Sequence, residues 1–467
     1  MKTQKNKHSK SIKTIKGINL IKPSLCILLA IYLGMSIYFM NHFSFGSVIC
    51  DVNVSGKSVE KANRDISSKL DAYKIKLEGR DGYSEDITSS EIGLSYNADK
   101  IKELKNNQNA FGWIFSIFKS KNTENSSIIS FDENLLKEKV DNLNCFSSKD
   151  IINPKNAGFE YTDNGYEVVQ EIKGNKVNKE QLFDSLKEAI SNGEEVFNLD
   201  EKNSYENPEY TSESEKILDT QKLLDKYTST QITYTIGKNK EILDGSTIKD
   251  FIEINDDLEV TINKAKVKNY VYKLASKYNT FGSTRDFLTA EGKSIKVSGG
   301  NYGWIINNPQ ETEDIISTIK EGQTVTKEPK YEQTAVSRDS NDIGNTYVEI
   351  DLTKQHIWFY KNGSLIVESD VVTGNASLNW STPPGVYRLT YKERNATLKG
   401  ENYTSPVNYW MPFNGNIGIH DAGWRSEFGK EIYLTNGSHG CVNAPPDVAK
   451  TIFENIEEAT PIVCYTE

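Results

Sequence analysis

From Ser24 to Phe45 no side chain carries a formal charge, taking His42 as neutral. About 20 such residues carry a helix across the hydrocarbon of a bilayer. Met1–Lys22 holds seven lysines and no Asp or Glu, and basic residues beside a span stay on the cytoplasmic side. Residues 1–22 therefore read as a cytoplasmic basic tail, 23–45 as a transmembrane anchor, and the rest as extracellular. A cleaved signal peptide is the competing reading, with Ser44-Phe-Gly46 as its processing site, but the apolar run is long for a signal core. Lipid attachment at Cys50 is disfavoured, because Ile49 stands where a small residue is wanted.

Beyond the anchor the periodicity mixes helix and strand. Asn178–Ile190 puts Leu182, Leu186 and Ile190 on one helical face, and Glu311–Lys320 does the same with Ile315 and Ile319. Leu186 aligns with Ile315, Ile190 with Ile319, Gly193 with Gly322, Val196 with Val325, and Gly174 with Gly303, all at one and the same offset in the numbering. A constant offset through a core face, a capping glycine and the next strand predicts a duplicated α+β module. The modules are expected over residues 50–215 and 216–335. Polar stretches at Asp200–Glu215 and Glu328–Asn345 read as surface connections.

From Thr346 the texture becomes that of strands: Tyr347–Asp351, Gln355–Tyr360, an Asn362-Gly363 hairpin signal before Ser364–Thr373, and Gly385–Tyr391 after a Pro383-Pro384 break. The one convincing helix here is Pro446–Glu457. The whole is a multidomain chain, with an N-terminal transmembrane helix, two α+β modules and a mainly-β C-terminal domain over 344–467.

Charge narrows the function. The chain's formal net charge is −10, and without the basic tail 48 basic residues face 65 acidic ones, a net −17. Such a body repels a phosphate backbone, so nucleic acid is not an expected partner. The hydrophobic fraction of 37% predicts modest cores, while 24 Tyr, 18 Phe and 6 Trp argue against disorder of the whole. Five cysteines in 467 residues are too sparse for a disulfide scaffold. Cys145 and Cys464 sit in apolar settings and read as small buried hydrophobes.

Cys441 differs, because it lies in Asn436-Gly-Ser-His-Gly-Cys-Val-Asn443, downstream of Ile417-Gly-Ile-His-Asp-Ala-Gly-Trp424. A cysteine nucleophile needs a base, donors for an oxyanion, and room for a carbonyl. Cys441 fits the nucleophile, with His420 or His439 as base. Gly440 permits a tight turn whose N–H groups converge. On an extended strand His439 and Cys441 share a face; in a turn they separate. Taken alone, a buried cysteine is usually structural, Trp424 usually core, and His356 a half-exposed strand residue. A zinc site at His420, His439 and Cys441 lacks the spacing of a full ligand set, so no metal is expected. Residue chemistry alone reaches an extracellular cysteine acyl-transfer enzyme without a cofactor.

His420 and then, past the intervening segment 421–437, Ser438-His-Gly-Cys-Val-Asn443 resemble in order and spacing the signature of the L,D-transpeptidase catalytic domain family. Ile350–Phe359, Thr382-Pro-Pro-Gly-Val-Tyr387 and Tyr409-Trp-Met-Pro-Phe413 resemble further segments of it. The modules upstream resemble, more faintly, the peptidoglycan-binding domains that precede this unit. The resemblance implies Cys441 as nucleophile toward the stem peptide of peptidoglycan and His420 as general base. The residue after that His, here Asp421 where Ser or Gly is more familiar, would orient the ring through its carbonyl, and its carboxylate would favour a charged imidazole. The N–H groups of His439, Gly440 and Cys441 would form the oxyanion hole; Ser438, Asn443, Trp424, Trp410 and Tyr409 would shape the site and bind substrate. The implied partners are donor and acceptor stem tetrapeptides, and the implied product is a 3→3 cross-link, with trimming or D-amino-acid exchange as side reactions. A β-lactam able to enter would acylate Cys441. Sortases share the anchor and the His-before-Cys order but use an Arg after the Cys, and none follows Arg425. A wall-binding protein with a degenerate domain is the non-enzymatic alternative.

Overall fold

A computed structural model describes residues 21–118, 121–122, 128–147, 149–338, 341–400 and 403–467. Most of the expected basic tail lies outside the described residues. The apolar run forms the helix Ile21–Asn41, which among the described residues is the one helix long and apolar enough to cross a membrane. It ends before Phe45: Phe43 is fully buried, and its N–H donates to the Lys57 carbonyl.

The chain divides into two units, the first reaching Ala157 and adding Gln170–Ser212, the second combining Gly158–Val169 with Glu213–Glu467. In the first, the hairpin Lys74–Glu78/Ser84–Thr88 gains Val196–Asn198 as a parallel strand. The helix Lys179–Asn192 precedes that strand, capped by the Asn178 side chain, and buries Leu182, Leu186, Ala189 and Ile190. The second unit repeats the plan: hairpin Gln231–Ile236/Asn239–Leu243, helix Asn308–Glu321, and parallel return strand Thr324–Lys327. Both helices are followed by a left-handed glycine, Gly193 and Gly322, so the constant offset seen in the sequence holds in three dimensions. Gly174 and Gly303 are equivalent as well, since a Cβ on either would stand within 2.4–2.5 Å of backbone atoms.

The reading of 328–345 as a surface connection is overturned. Tyr331–Gln333 pairs with Ile305–Ile306, and Ala335 and Ile343 are buried with Phe287, Val297, Tyr302, Trp304, Val386, Val463 and Tyr465 in one cluster. Asp342 is buried against Arg285, Nη2 to Oδ2 3.2 Å, with side-chain exposures of 7% and 2%. Removing one partner of such a pair strands the other charge. Arg285→Met should therefore destabilise the second unit by about 3–5 kcal/mol in urea unfolding, with part of the loss recovered when Asp342→Leu is added.

Among the described residues the C-terminal domain holds nine strands: β1 Tyr347–Asp351, β2 His356–Lys361, β3 Ser364–Asp370, β4 Gly385–Arg388, β5 Glu393–Gly400, β6 Tyr403–Asn414, β7 Ile417–Asp421, β8 Val442–Ala444 and β9 Pro461–Tyr465. They form a five-stranded sheet, β3-β2-β1-β9-β4, and a four-stranded sheet, β5-β6-β7-β8. Ile350, Phe359, Met411, Phe413, Ile419, Val442 and Ile462 are fully buried in the core, joined by Val448, Ile452 and Phe453 of the helix Pro446–Asn455. That packing fixes β7 and β8 as rigid supports.

Candidate active site

Strand register assembles the site. Trp410 on β6 pairs with His420 on β7, and His420 pairs with Asn443 on β8. Residues directly opposite share a face, so Trp410, His420 and Asn443 form a row across three strands. Cys441, two residues before Asn443, has the same parity. Tyr409 and Asp421 have the opposite parity and face the other way. The Tyr409 ring packs on Phe453, centroids 5.4 Å apart. The Asp421 carboxylate accepts from the N–H groups of Asn408 and Tyr409, each at 2.8 Å, and from Asn408 Nδ2 at 2.9 Å. The structure therefore does not bring Tyr409 to the cleft with the other expected residues.

His420 is buried. Its Nδ1 lies 2.9 Å from the Asp421 carbonyl, and its Nε2 lies 3.1 Å from Asn443 Nδ2. The orientation of that amide is settled by Arg425, whose Nε is 2.8 Å from Asn443 Oδ1. A guanidinium only donates, so Oδ1 faces Arg425 and Nδ2 donates to His420. Nε2 is then unprotonated, and Nδ1–H donates to Asp421. Burial lowers the His420 pKa below its ordinary value, against the backbone hydrogen bond and the Asp421 charge, which raise it, and with a contribution from Arg425. The Asp421 carboxylate does favour imidazolium, as expected, but desolvation outweighs it and leaves the net shift downward.

Arg425→Ala frees the Asn443 amide to turn its oxygen toward Nε2, which disfavours the reactive tautomer. Acylation of Cys441 should slow about 10–100-fold, short of the ~10⁴ cost of a fully reversed tautomer. The thermal midpoint should hardly move, and Arg425→Lys should restore part of the rate; stopped-flow acylation by a carbapenem reads this.

The turn before β8 is held from the far side. Val372 and Asn443 exchange N–H···O bonds of 2.9 Å each, and Ser438 N–H donates to Thr373 O at 2.9 Å. Thr382 Oγ1 donates to the Gly440 carbonyl at 2.7 Å, and Ser438 Oγ donates to the Cys441 carbonyl at 2.6 Å. Gly440 has φ of +117°, and a Cβ there would come within 3.2 Å of Ile417, so glycine is required. Its N–H is bonded to Ser438 Oγ at 3.0 Å. That removes one of the three donors expected to converge on an oxyanion.

Cys441 is 7% exposed, beside Ala396, Val407 and Trp410. Its Sγ is 3.5 Å from the Asn416 carbonyl. Burial pushes the thiol up to about 11, and a hydrogen bond from the Gly418 backbone opposes this only in part. A cleft of about 200 Å³ opens onto Cys441, His420, Asn443, Ser438, His439 and Trp424. His439 is exposed and stacks on Trp380, 4.1 Å between centroids. Trp424 is 55% exposed with its ring 5.9 Å from that of His420. Trp410 lines a second opening onto Cys441 under the β5–β6 hairpin. Sequence reasoning missed Arg425, weighed only for its order relative to Cys441, and gave no role to Thr382 or Trp380.

A mainly-β domain with a buried cysteine and a neutral histidine on one cleft defines the class. The family model for the L,D-transpeptidase catalytic domain matches residues 345–464, and a model described as "Putative peptidoglycan binding domain" matches 85–198 and 210–327. An Enterococcus faecium L,D-transpeptidase crystal structure is 36% identical over 53% of this chain and 100% of that one, TM-score 0.45. The catalytic domain of the E. faecium enzyme, solved by NMR, is 46% identical over 26% of this chain and 97% of that one, TM-score 0.24. An L,D-transpeptidase from Stackebrandtia nassauensis is 30% identical over 26% and 55%, TM-score 0.22. Comparison with curated proteins found no match. The chain belongs to the L,D-transpeptidase family, on the family-model match and the 36% sequence identity along the whole of the solved E. faecium chain.

Proposed function

We propose that the protein is a membrane-anchored peptidoglycan L,D-transpeptidase that forms 3→3 cross-links through a thioester on Cys441. The observation that carries this is the shared cleft of Cys441 and His420, with Nε2 of His420 unprotonated. Both shifts disfavour a resting thiolate–imidazolium pair, so the thiol proton moves during attack. Sγ bonds to the carbonyl carbon between the third and fourth residues of a stem tetrapeptide as Nε2 takes the proton. In this reading the N–H groups of His439 and Cys441 serve the developing oxyanion, the Gly440 N–H being held by Ser438 Oγ. The carbon–nitrogen bond then breaks, the proton passes to the leaving amine, and a terminal D-amino acid departs. An amine on the third residue of a neighbouring stem attacks the thioester, its proton returns through His420, and the thiol is regenerated. Water in place of that amine gives L,D-carboxypeptidase action, and a free D-amino acid gives exchange.

The two peptidoglycan-binding segments would hold the domain at the wall. Retention of the anchor is supported by Phe39 and Phe43, 1% and 0% exposed, because cleavage near Ser44–Gly46 would remove both rings from the first unit. The membrane then places the N-terminus in the cytoplasm and the cleft outside. An E. faecium catalytic domain has been solved acylated by ertapenem, and a carbapenem would acylate Cys441 by the same attack on a carbonyl.

The test is incubation of the purified chain with disaccharide-tetrapeptide, followed by mass spectrometry of protein and products. A Cys441 acyl adduct with 3→3 dimers is the expected result. Tripeptide alone would make the enzyme a carboxypeptidase, and the absence of any adduct would favour the degenerate wall-binding reading.

A further inference from the structure

Five large apolar side chains within one short stretch of the first unit, Phe111, Ile114, Phe115, Ile117 and Phe118, are between 41% and 83% exposed. They belong to the turn Ala110–Gly112 and the short helix Trp113–Ser116 with its exit. A water-facing surface rarely concentrates apolar groups in this way. The segment is fastened along the helix Ile21–Asn41. Tyr32 Oη donates to the Phe111 carbonyl at 2.9 Å, and Trp113 Nε1 donates to the Tyr32 carbonyl at 3.4 Å. The Trp113 ring lies 6.3 Å from Tyr32, 6.1 Å from Phe39 and 6.2 Å from Phe45.

Tyr32 and Phe39, with the fully buried Ser36 between them, form one helical stripe that this segment covers. Around the rest of the helix Leu25, Ile27, Leu29, Leu33 and Ile37 stay 45–66% exposed. Tyr32 lies two and a half turns before Asn41, about 13.5 Å down the helix axis. Whatever solvates the helix at that depth also meets Phe111, which Tyr32 holds there, and the exposed Phe115 and Phe118 continue from it along the same short segment. The hydroxyl of Tyr32 and the indole N–H of Trp113 find their partners inside the cluster, as a low-dielectric medium demands.

We propose that residues 110–118 dip into the outer leaflet beside the anchor, as a second lipid contact that fixes how the first unit stands on the membrane. This rests on the reading of Ile21–Asn41 as a retained membrane span. A lipid occupant is favoured over a protein one because the patch is continuous with helix faces that only acyl chains would cover.

The full chain, reconstituted in phosphatidylglycerol/phosphatidylethanolamine vesicles carrying an acyl-chain diazirine phospholipid, is illuminated and mapped by peptide mass spectrometry. Carbene adducts are expected on the anchor helix and on 109–118, with none above background on the helix Lys179–Asn192. In Phe115→Asp/Phe118→Asp the adducts on 109–118 should fall about tenfold or more while those on the anchor persist. A labelled anchor beside an unlabelled 109–118 overturns this proposal alone, whereas an unlabelled anchor overturns the membrane reading too. Protein–protein crosslinks at 109–118 in place of lipid adducts would assign the patch to a second copy and overturn the lipid contact.

Discussion

Cys441→Ala should leave a folded protein that forms no acyl adduct and no cross-linked product. The loss expected in turnover is about a millionfold, the scale seen when a covalent enzyme loses its nucleophile. The fold should survive for a local reason. The turn before β8 is held by Ser438, Thr382 and the Val372–Asn443 bridge, none of which uses the thiol. Deleting one sulfur beside Ala396, Val407 and Trp410 should cost about 1 kcal/mol, the low end for small core truncations. Intact-mass spectrometry after exposure to tetrapeptide or carbapenem reads the adduct, and a thermal melt reads the fold. Two of the other cysteines offer little escape. Cys464 is wholly buried with its thiol pushed far up by burial, and Cys50 is buried and raised to about 11 by burial and the neighbouring Asp51. An adduct persisting on the alanine variant would end the assignment of Cys441 as nucleophile.

That Cys441 and His420 share a cleft was legible in the sequence because the signature the chain resembles spans both, whereas the sequence left open whether His439 and Cys441 lie on one face or are parted by a turn. What failed were the features decided by neighbours distant in sequence. Tyr409 looked equivalent to Trp410 in a short aromatic run, yet strand alternation sends it to Phe453. The Gly440 N–H looked free for an oxyanion, but Ser438, just upstream, folds back on it. Arg425 becomes a site residue only through its contact with Asn443, which lies beyond the whole turn that carries Cys441.

The strand pair β5–β6 was half visible. Glu393–Gly400 is polar and largely exposed, so it shows no apolar alternation, and Pro406 and Pro412 argue against a strand in β6. Residues 328–345 read as a surface link for the same reason: their polarity serves buried pairs such as Arg285–Asp342. The repeat was recoverable because cap glycines and core faces recur together, each forced by the same local backbone.

His420→Ala should slow acylation at neutral pH by about 10²–10⁴, the range of a lost general base. The structure also fixes how the loss depends on pH. With the thiol pushed up to about 11 by burial, only about one molecule in 10⁴ carries thiolate at pH 7 without help. The variant should therefore regain about tenfold per pH unit as the solution is made more alkaline, levelling near the thiol's own pKa. The intact enzyme should behave oppositely. Burial lowers the His420 pKa below its ordinary value, so the neutral base predominates through neutral pH and the rate stays level there. It falls only on the acid side, below the ordinary histidine range, as imidazolium forms and can no longer accept the thiol proton. Carbapenem acylation followed by stopped flow between pH 5 and 10 compares the two profiles. A level profile in the variant, or a wild-type decline beginning above the ordinary histidine pKa, would mean that Nε2 of His420 is not the base that frees Cys441.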